Sequence, residues 1–358
     1  MKKENWINKR IGILLLAGLV FLLAGGILLM QKNKSKAMPD EYGLVIYCPH
    51  PADFISTLVK EFETETGISV KVVNESSGCL LEKLEEEKEA PVCDLLWGGS
   101  LLTVRPKEYL FETYHSVNED SLQEEFKNKE GNMTRFTDVP SVIMVNTDLV
   151  GDIKIEGYSD LLNPALKGKI ACCDPSGSSS AFEHLTNMLY AMGEGRPEEG
   201  WAYVEELCRN IDGKLLSGSA EVYQGVAAGD YIAGLTFEEG AARYMAENAH
   251  VRIVYMKEGV VSTPDGLYII KNARHKEAAE AFIDFATGYN AQRMIAAHLN
   301  RRSVRSDVQA PAYLPDKEEI PMIYADADEV VSHKEAWLAH FEDIMDTLYG
   351  KREQEEKS

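Results

Sequence analysis

The stretch KIACCDPSGSSSAFEHLTNMLYAM, residues 169–192, decides how this chain is read. Residues 169–173 have the composition of a buried strand, residues 174–180 supply proline, glycine and a cluster of serines, and residues 181–192 carry apolar side chains at helical spacing. Strand, small polar loop and helix together form the repeating unit of an open α/β sheet. In such sheets ligands bind beyond the carboxyl ends of the strands, where helix N-termini present free N–H groups and a favourable dipole. Ser176, Ser178, Ser179 and Ser180 offer more hydroxyls than one helix cap can use, so they are read as ligand donors.

Four other junctions share this design: Asn74-Glu75-Ser76-Ser77-Gly78, Trp97-Gly98-Gly99-Ser100, Ser217-Gly218-Ser219 and Thr236-Phe237-Glu238. Each alone reads more simply as an ordinary N-cap. Five in one chain point to a donor-lined cleft, and Ser76, Ser77, Gly78, Gly99, Ser100, Ser217, Ser219 and Thr236 therefore join the candidates. Around them the pattern predicts strands at 44–47, 68–73, 94–97, 141–146, 169–173, 214–216, 231–235, 251–255 and 266–270. Helices are predicted at 54–66, 80–89, 181–192, 198–210, 220–228, 238–248 and 276–288, with a helical tail after Pro311.

The alternation starts afresh after residues 141–146, so the chain reads as two βα sets joined by extended segments near 141–146 and 262–268. Two crossings make a hinge. One lobe is expected from residues 38–140 plus 264–358 and the other from 141–263, with 1–37 as a separate N-terminal segment. The 358 residues suit two such lobes.

That N-terminal segment has Lys2, Lys3, Lys9 and Arg10 before an uncharged apolar run, residues 11–30, followed by Lys32, Lys34 and Lys36. A run of about 20 apolar residues is long enough to span a bilayer, which favours an uncleaved anchor. The competing reading is a signal cleaved after Ser35-Lys36-Ala37. Gly26 stands where a lipid-bearing cysteine would be. Either way the body is expected outside the cytoplasm. The six cysteines match no zinc or redox spacing, and most are read as buried thiols.

With 37 Lys plus Arg against 58 Asp plus Glu, the formal net charge of −21 excludes nucleic acid as a partner, because phosphate neutralisation needs a basic face. Enzyme signatures are missing: Leu166-Lys167-Gly168-Lys169-Ile170 lacks the upstream glycine and the Ser/Thr of a P-loop, and there is neither G-x-S-x-G nor H-E-x-x-H. No catalytic residue, cofactor or metal site is assigned; the alternative of a secreted hydrolase using Glu238 or Glu239 with His184 needs a nucleophile or metal site that the sequence does not show.

Charged candidates each carry two readings. His50, in Cys48-Pro49-His50-Pro51, is a cleft residue or an idle loop histidine; His184 is a ligand contact or a surface-helix residue. Arg135 is an anion clamp or a solvated arginine. Glu238 opens a helix, where a carboxylate is favoured in any case. Asp265, in Pro264-Asp265-Gly266, is a cleft residue or plain turn chemistry.

The runs YCPHPADF (47–54), LWGGSL (96–101), FTDVPSVIMVN (136–146), YSDLLNPALKGKI (158–170), LTFEE (235–239), residues 264–271 and NRRSVRSDV (300–308), in that order, resemble the extracellular solute-binding proteins of ABC importers. The branch resembled includes iron(III) binders and hexose-phosphate or phosphonate binders. The resemblance implies a type II periplasmic-binding fold: α/β, two lobes, each an open mostly parallel sheet flanked by helices, with the ligand cleft between them. It implies a monomer that closes on its solute by hinge motion and serves an ABC permease, or a sensor kinase, without catalysis. Iron(III) binders of the family use an adjacent tyrosine pair; the matching strand end here is Thr236-Phe237-Glu238, so a phosphorylated sugar, another organophosphate or a phosphonate is the expected solute and iron(III) the alternative.

Overall fold

Residues 42–356 are described by the computed structural model of the chain, and two sheets organise them. In the first, β1 (Leu44–Tyr47) pairs in parallel with β2 (Val70–Val73) and β3 (Leu95–Ser100). Helix α1 (Ala52–Thr66) carries the chain between β1 and β2 and ends on Gly67, whose left-handed backbone lets its N–H donate to the Glu63 carbonyl. Helix α2 (Ser77–Glu87) leads into β3, and the short α3 (Leu101–Val104) follows it. After 3-10 turns comes β4 (Thr134–Asp138), a strand absent from the sequence reading because its five residues are mostly polar.

The chain then crosses through Val139 and Pro140 to β5 (Ser141–Asn146) in the second sheet. There follow β6 (Ile170–Ala171), α4 (Ser179–Met192), α5 (Pro197–Ile211), α6 (Ser219–Ala228), β7 (Ala233–Phe237), α7 (Glu238–Ala246) and β8 (Val251–Val254). The order is β6-β7-β5-β8, with β5 antiparallel to both neighbours. The expected strand at 214–216 reduces to one bridge between Cys173 and Leu216.

The return crossing delivers β9 (Asp265–Ile269) between β3 and β4, antiparallel to both. Helices α8 (Lys276–Thr287) and α9 (Tyr289–His298) cover this sheet, and β10 (Arg302–Ser303) borders β4. The sheets are thus mixed rather than mostly parallel, since β5 and β9, the strands that receive each crossing, run against their neighbours. Both are wholly buried, which is why they read as unbroken apolar runs.

A third crossing departs from the expected two. Residues 306–326 run back to the second lobe, where the Val260 N–H donates to the Pro321 carbonyl and the Ile323 N–H to the Val260 carbonyl, at 2.9 Å each. Helix α10 (Ala327–Glu356) then lays Val330, Trp337 and Phe341 into the core that holds Phe182, Leu189 and Tyr203. The C-terminal stretch assigned on sequence to the first lobe therefore stands with the second: its apolar stripe needs a partner, and α5 offers one. Asp138 ties the three crossings, accepting from Ser262 Oγ at 2.5 Å and from Lys317 Nζ at 2.9 Å.

Among the described residues no helix is long and apolar enough to cross a membrane; the run 11–30 lies outside them. Trp337 is 3% exposed and stacks on His333, so Trp337→Ala is expected to cost about 3–5 kcal/mol, read as a lowered urea midpoint with α10 loosened first in hydrogen exchange.

Candidate functional site

A cavity of about 500 Å³ opens between the two lobes, lined by strand ends and helix starts from both. The bulge that separates the Trp97 and Ser100 pairings of β3 with β9 turns Ser100 and its partner Asp265 towards it. Gly98 makes this possible: its φ is +110°, and a Cβ there would meet His50 Nε2 at 2.8 Å.

At one end of the cavity Arg301 and Asp265 form a buried ion pair, Arg301 Nη1 donating to Asp265 Oδ2 at 2.6 Å and to Thr137 Oγ1 at 2.9 Å. The Thr137 N–H and hydroxyl in turn donate to Asp265 Oδ1 at 2.9 and 2.5 Å. Burial would raise the Asp265 carboxyl, but the Arg301 charge, with His50 and Thr137, holds it at about 2. His50 Nε2 lies 3.2 Å from Asp265 Oδ2 amid Phe54, Trp97 and Phe136, and burial and the neighbouring Arg301 push its pKa down. From the second lobe Glu239 reaches Arg301 Nη2 at 3.4 Å.

Four of the five sequence junctions meet at the cavity. They contribute Asn74 to Ser77, Gly99 and Ser100, Gly177 to Ser180, and Ser217 to Ser219. Some hydroxyls are already engaged. Ser76 accepts from the Cys79 N–H at 3.4 Å, Ser100 from the Thr103 N–H at 3.3 Å, and Ser217 donates to Glu221 at 2.5 Å. Ser178 and Ser180 share one bond of 3.1 Å, and the buried Ser179 Oγ has no partner. The fifth junction gives the lining only Phe237, which with Tyr223 forms an aromatic wall.

Glu183, one turn into α4, also faces the cavity. Its carboxyl is buried near Ser100 and Thr263; burial raises its pKa to about 8, with Asp265 and Asp138 adding to the rise and the two hydroxyl residues opposing it. Arg243 meets Asp53 across the cleft mouth at 2.9 Å.

Several candidates lie elsewhere. His184 is buried behind the cavity wall, Nε2 donating to the Thr236 carbonyl at 2.6 Å and Nδ1 accepting from Tyr158 Oη at 2.9 Å; burial lowers its pKa to about 4. Neighbours on a helix point about 100° apart, so with Ser179, Ser180 and Glu183 facing the ligand side, His184 turns to the sheet. Thr236 is itself buried behind Phe237. Arg135 is spent on Glu130 and the Met133 carbonyl, and Ser176 turns out to solvent, bonding Asp174 at 2.7 Å. Gly78 stays just outside the lining. Glu238 accepts three bonds of 2.8–3.0 Å from Arg302 and one of 2.5 Å from Tyr255, which makes it an interlobe tie rather than a ligand contact.

The lining residues missed include Arg301, Glu183, Asp53, Tyr223, Arg243 and Thr263. Arg301 carried a signal, as half of the adjacent basic pair Arg301-Arg302 in an acidic chain and as part of the run at 300–308.

Residues 94–333 match the family model described as bacterial extracellular solute-binding protein. Among solved structures, the periplasmic binding protein AfuA from Actinobacillus pleuropneumoniae, with exogenous fructose-6-phosphate bound, superposes with a TM-score of 0.78 at 23% identity, covering 84% of this chain and 98% of that one. A protein described as a two-component system protein mediating signal transduction gives 0.70 at 30% identity, over 79% and 95% of the respective chains. Iron uptake protein A1 of Synechocystis is 26% identical over 254 residues, 67% of this chain and 69% of its own.

Two outcomes follow from the ion pairs. The depressed Asp265 pKa adds stability that is present above its ordinary 3.8 and lost as pH falls towards about 2; Asp265→Asn is therefore expected to flatten the acid limb of the thermal midpoint between those values. Glu238→Ala leaves Arg302 buried without its counter-charge and is expected to cost about 3–5 kcal/mol, read by urea denaturation.

Proposed function

Because the chain belongs to the bacterial extracellular solute-binding proteins, the non-enzymatic subunits that bring small solutes to ABC permeases, we propose that its solute is a small phosphorylated or phosphonate compound held by closure of the two lobes. The observation that carries this reading is the convergence of three helix N-termini, those of α2, α4 and α6, with their serines on one cavity. A phosphate needs several donors at once. Helix starts supply them from backbone N–H groups and hydroxyls, without an unpaired cation, even in a chain of net charge −21. Arg301 and Arg243, each paired with a carboxylate across or within the cleft, add directional donors at its edges. Tyr223 and Phe237, packed edge to face, add apolar aromatic surface suited to the carbon skeleton of a sugar or similar group.

Iron(III) is favoured instead by the names of relatives in Synechocystis and Serratia marcescens. Its hard charge calls for anionic oxygen donors. Tyr223 is the single tyrosine in the lining, and among the described residues no three His, Cys, Asp or Glu side chains are grouped to hold a metal. The apolar run 11–30 would keep the body tethered at the outer membrane face beside its permease.

Calorimetry of the purified chain against glucose 6-phosphate, aminoethylphosphonate, inorganic phosphate and iron(III) citrate tests the proposal. One-to-one binding of a phosphate or phosphonate without turnover is expected, weakened at least about tenfold by Ser179→Ala with Ser180→Ala, the scale of hydrogen bonds to a charged group. Binding of iron alone would overturn it.

A further inference from the structure

One buried ionisable group in the cavity is left without a role by the donor-lined reading. Every other buried charge there has an opposite partner: Asp265 has Arg301, and Glu239 has Arg301. Among the described residues Glu183 forms no ion pair; the hydroxyl-bearing Ser100 and Thr263 line the cavity beside it. The charged groups around it are Asp265 on β9, Asp138 on β4 and Lys334 on α10. Asp265 and Asp138 are committed to Arg301 and Lys317, respectively. Lys334 lies over the Phe182 ring and points its ammonium at the Thr103 carbonyl, 3.5 Å away.

A carboxylate in this place would be desolvated, repelled by two other acids and set against an incoming anion. A neutral carboxyl is a hydrogen-bond donor, fixed by helix α4 on the same face as Ser179 and Ser180. We propose that Glu183 is a specificity-determining residue of the solute site, acting as an uncharged carboxyl that donates one hydrogen bond to the bound solute, so that capture requires Glu183 to keep its proton. This rests on the anionic solute argued above. It adds a selection that the serines cannot make: the solute must present an acceptor, such as a phosphate or hydroxyl oxygen, where Glu183 points, and one presenting a second carboxylate there is admitted only while the proton stays.

The consequence is a pH dependence of defined sign. Phosphate esters are already doubly charged above pH 7, since their second pKa is about 6. Any weakening on further alkalinisation therefore comes from the protein. Once Glu183 ionises, each added pH unit lowers affinity by up to about tenfold. Lys334 is the other group whose titration could enter this range, its pKa being lowered by burial, and a Glu183 variant separates the two.

The full-length chain is titrated calorimetrically with glucose 6-phosphate, aminoethylphosphonate and inorganic phosphate from pH 7 to 9.5, as wild type, Glu183→Gln and Glu183→Ala. The ligand-free protein is followed by pH-difference infrared spectroscopy. Wild type is expected to lose at least tenfold in affinity across the range. Glu183→Gln, which keeps a donor but cannot ionise, should hold its affinity within about threefold, and Glu183→Ala should bind at least tenfold more weakly than Glu183→Gln at pH 7. A protonated-carboxyl band present in wild type at pH 7, absent from Glu183→Gln and lost on alkalinisation is the ligand-independent signature. If Glu183 is already ionised at pH 7 in the ligand-free protein, or if alkaline weakening persists in Glu183→Gln, the proposal is overturned. Failure of all three compounds to bind overturns the phosphate reading and the donor role with it, while the infrared result still reports the charge of Glu183.

Discussion

The buried pair of Arg301 and Asp265 is the constraint on which the rest of the site depends. Asp265 begins β9, the strand that re-enters the first sheet, and Arg301 immediately precedes β10 on its edge; Thr137, between them on β4, bonds both. Three segments distant in sequence are thus locked at the place where two of them leave for the other lobe. Burying an ion pair does not by itself add stability, because desolvation offsets the attraction. What it does is specify. Any shift of β9 against β4 leaves a charge unpaired, so the crossings keep one register, and Glu239 reaching Arg301 from the second lobe makes lobe position part of the same network.

Small residues complete that arrangement. The bulge at Gly98 and Gly99 bends β3 enough to bring His50 against its backbone and Ser100 towards the cavity. The cavity is therefore walled by backbone, hydroxyl and aromatic groups, with the buried Arg301–Asp265 pair at one end and the Arg243–Asp53 pair at its mouth. This lining leaves selection among small solutes to the few groups with a definite donor or acceptor direction.

Much of this was legible along the chain. The strands at 44–47 and 141–146 end where their apolar runs end, and the serine-rich helix starts were identifiable as donors because glycine, proline and hydroxyl residues report local backbone geometry directly. Four of those five junctions line the cavity. The misses have a common cause. His184 is a sequence candidate and Glu183, one residue away, is not, because facing is a rotation about a helix whose phase is set by what packs against it. Arg135 and Glu238 had the right chemistry but found partners, Glu130 and Arg302, that sequence position does not pair with them. The third crossing and the seat of α10 were hidden because an amphipathic stripe states that a partner exists without saying which lobe supplies it.

By itself the sequence determined the alternation of strands and helices, the donor-rich turns between them and the family to which the chain belongs, since each is encoded within a few neighbouring residues. The tertiary structure decided which side chains share the cavity, that β9 runs antiparallel through the first sheet, and that Glu183 and Arg301 stand with the serines. These depend on segments far apart in the chain, brought together by burial and by charges that must find partners once they leave water.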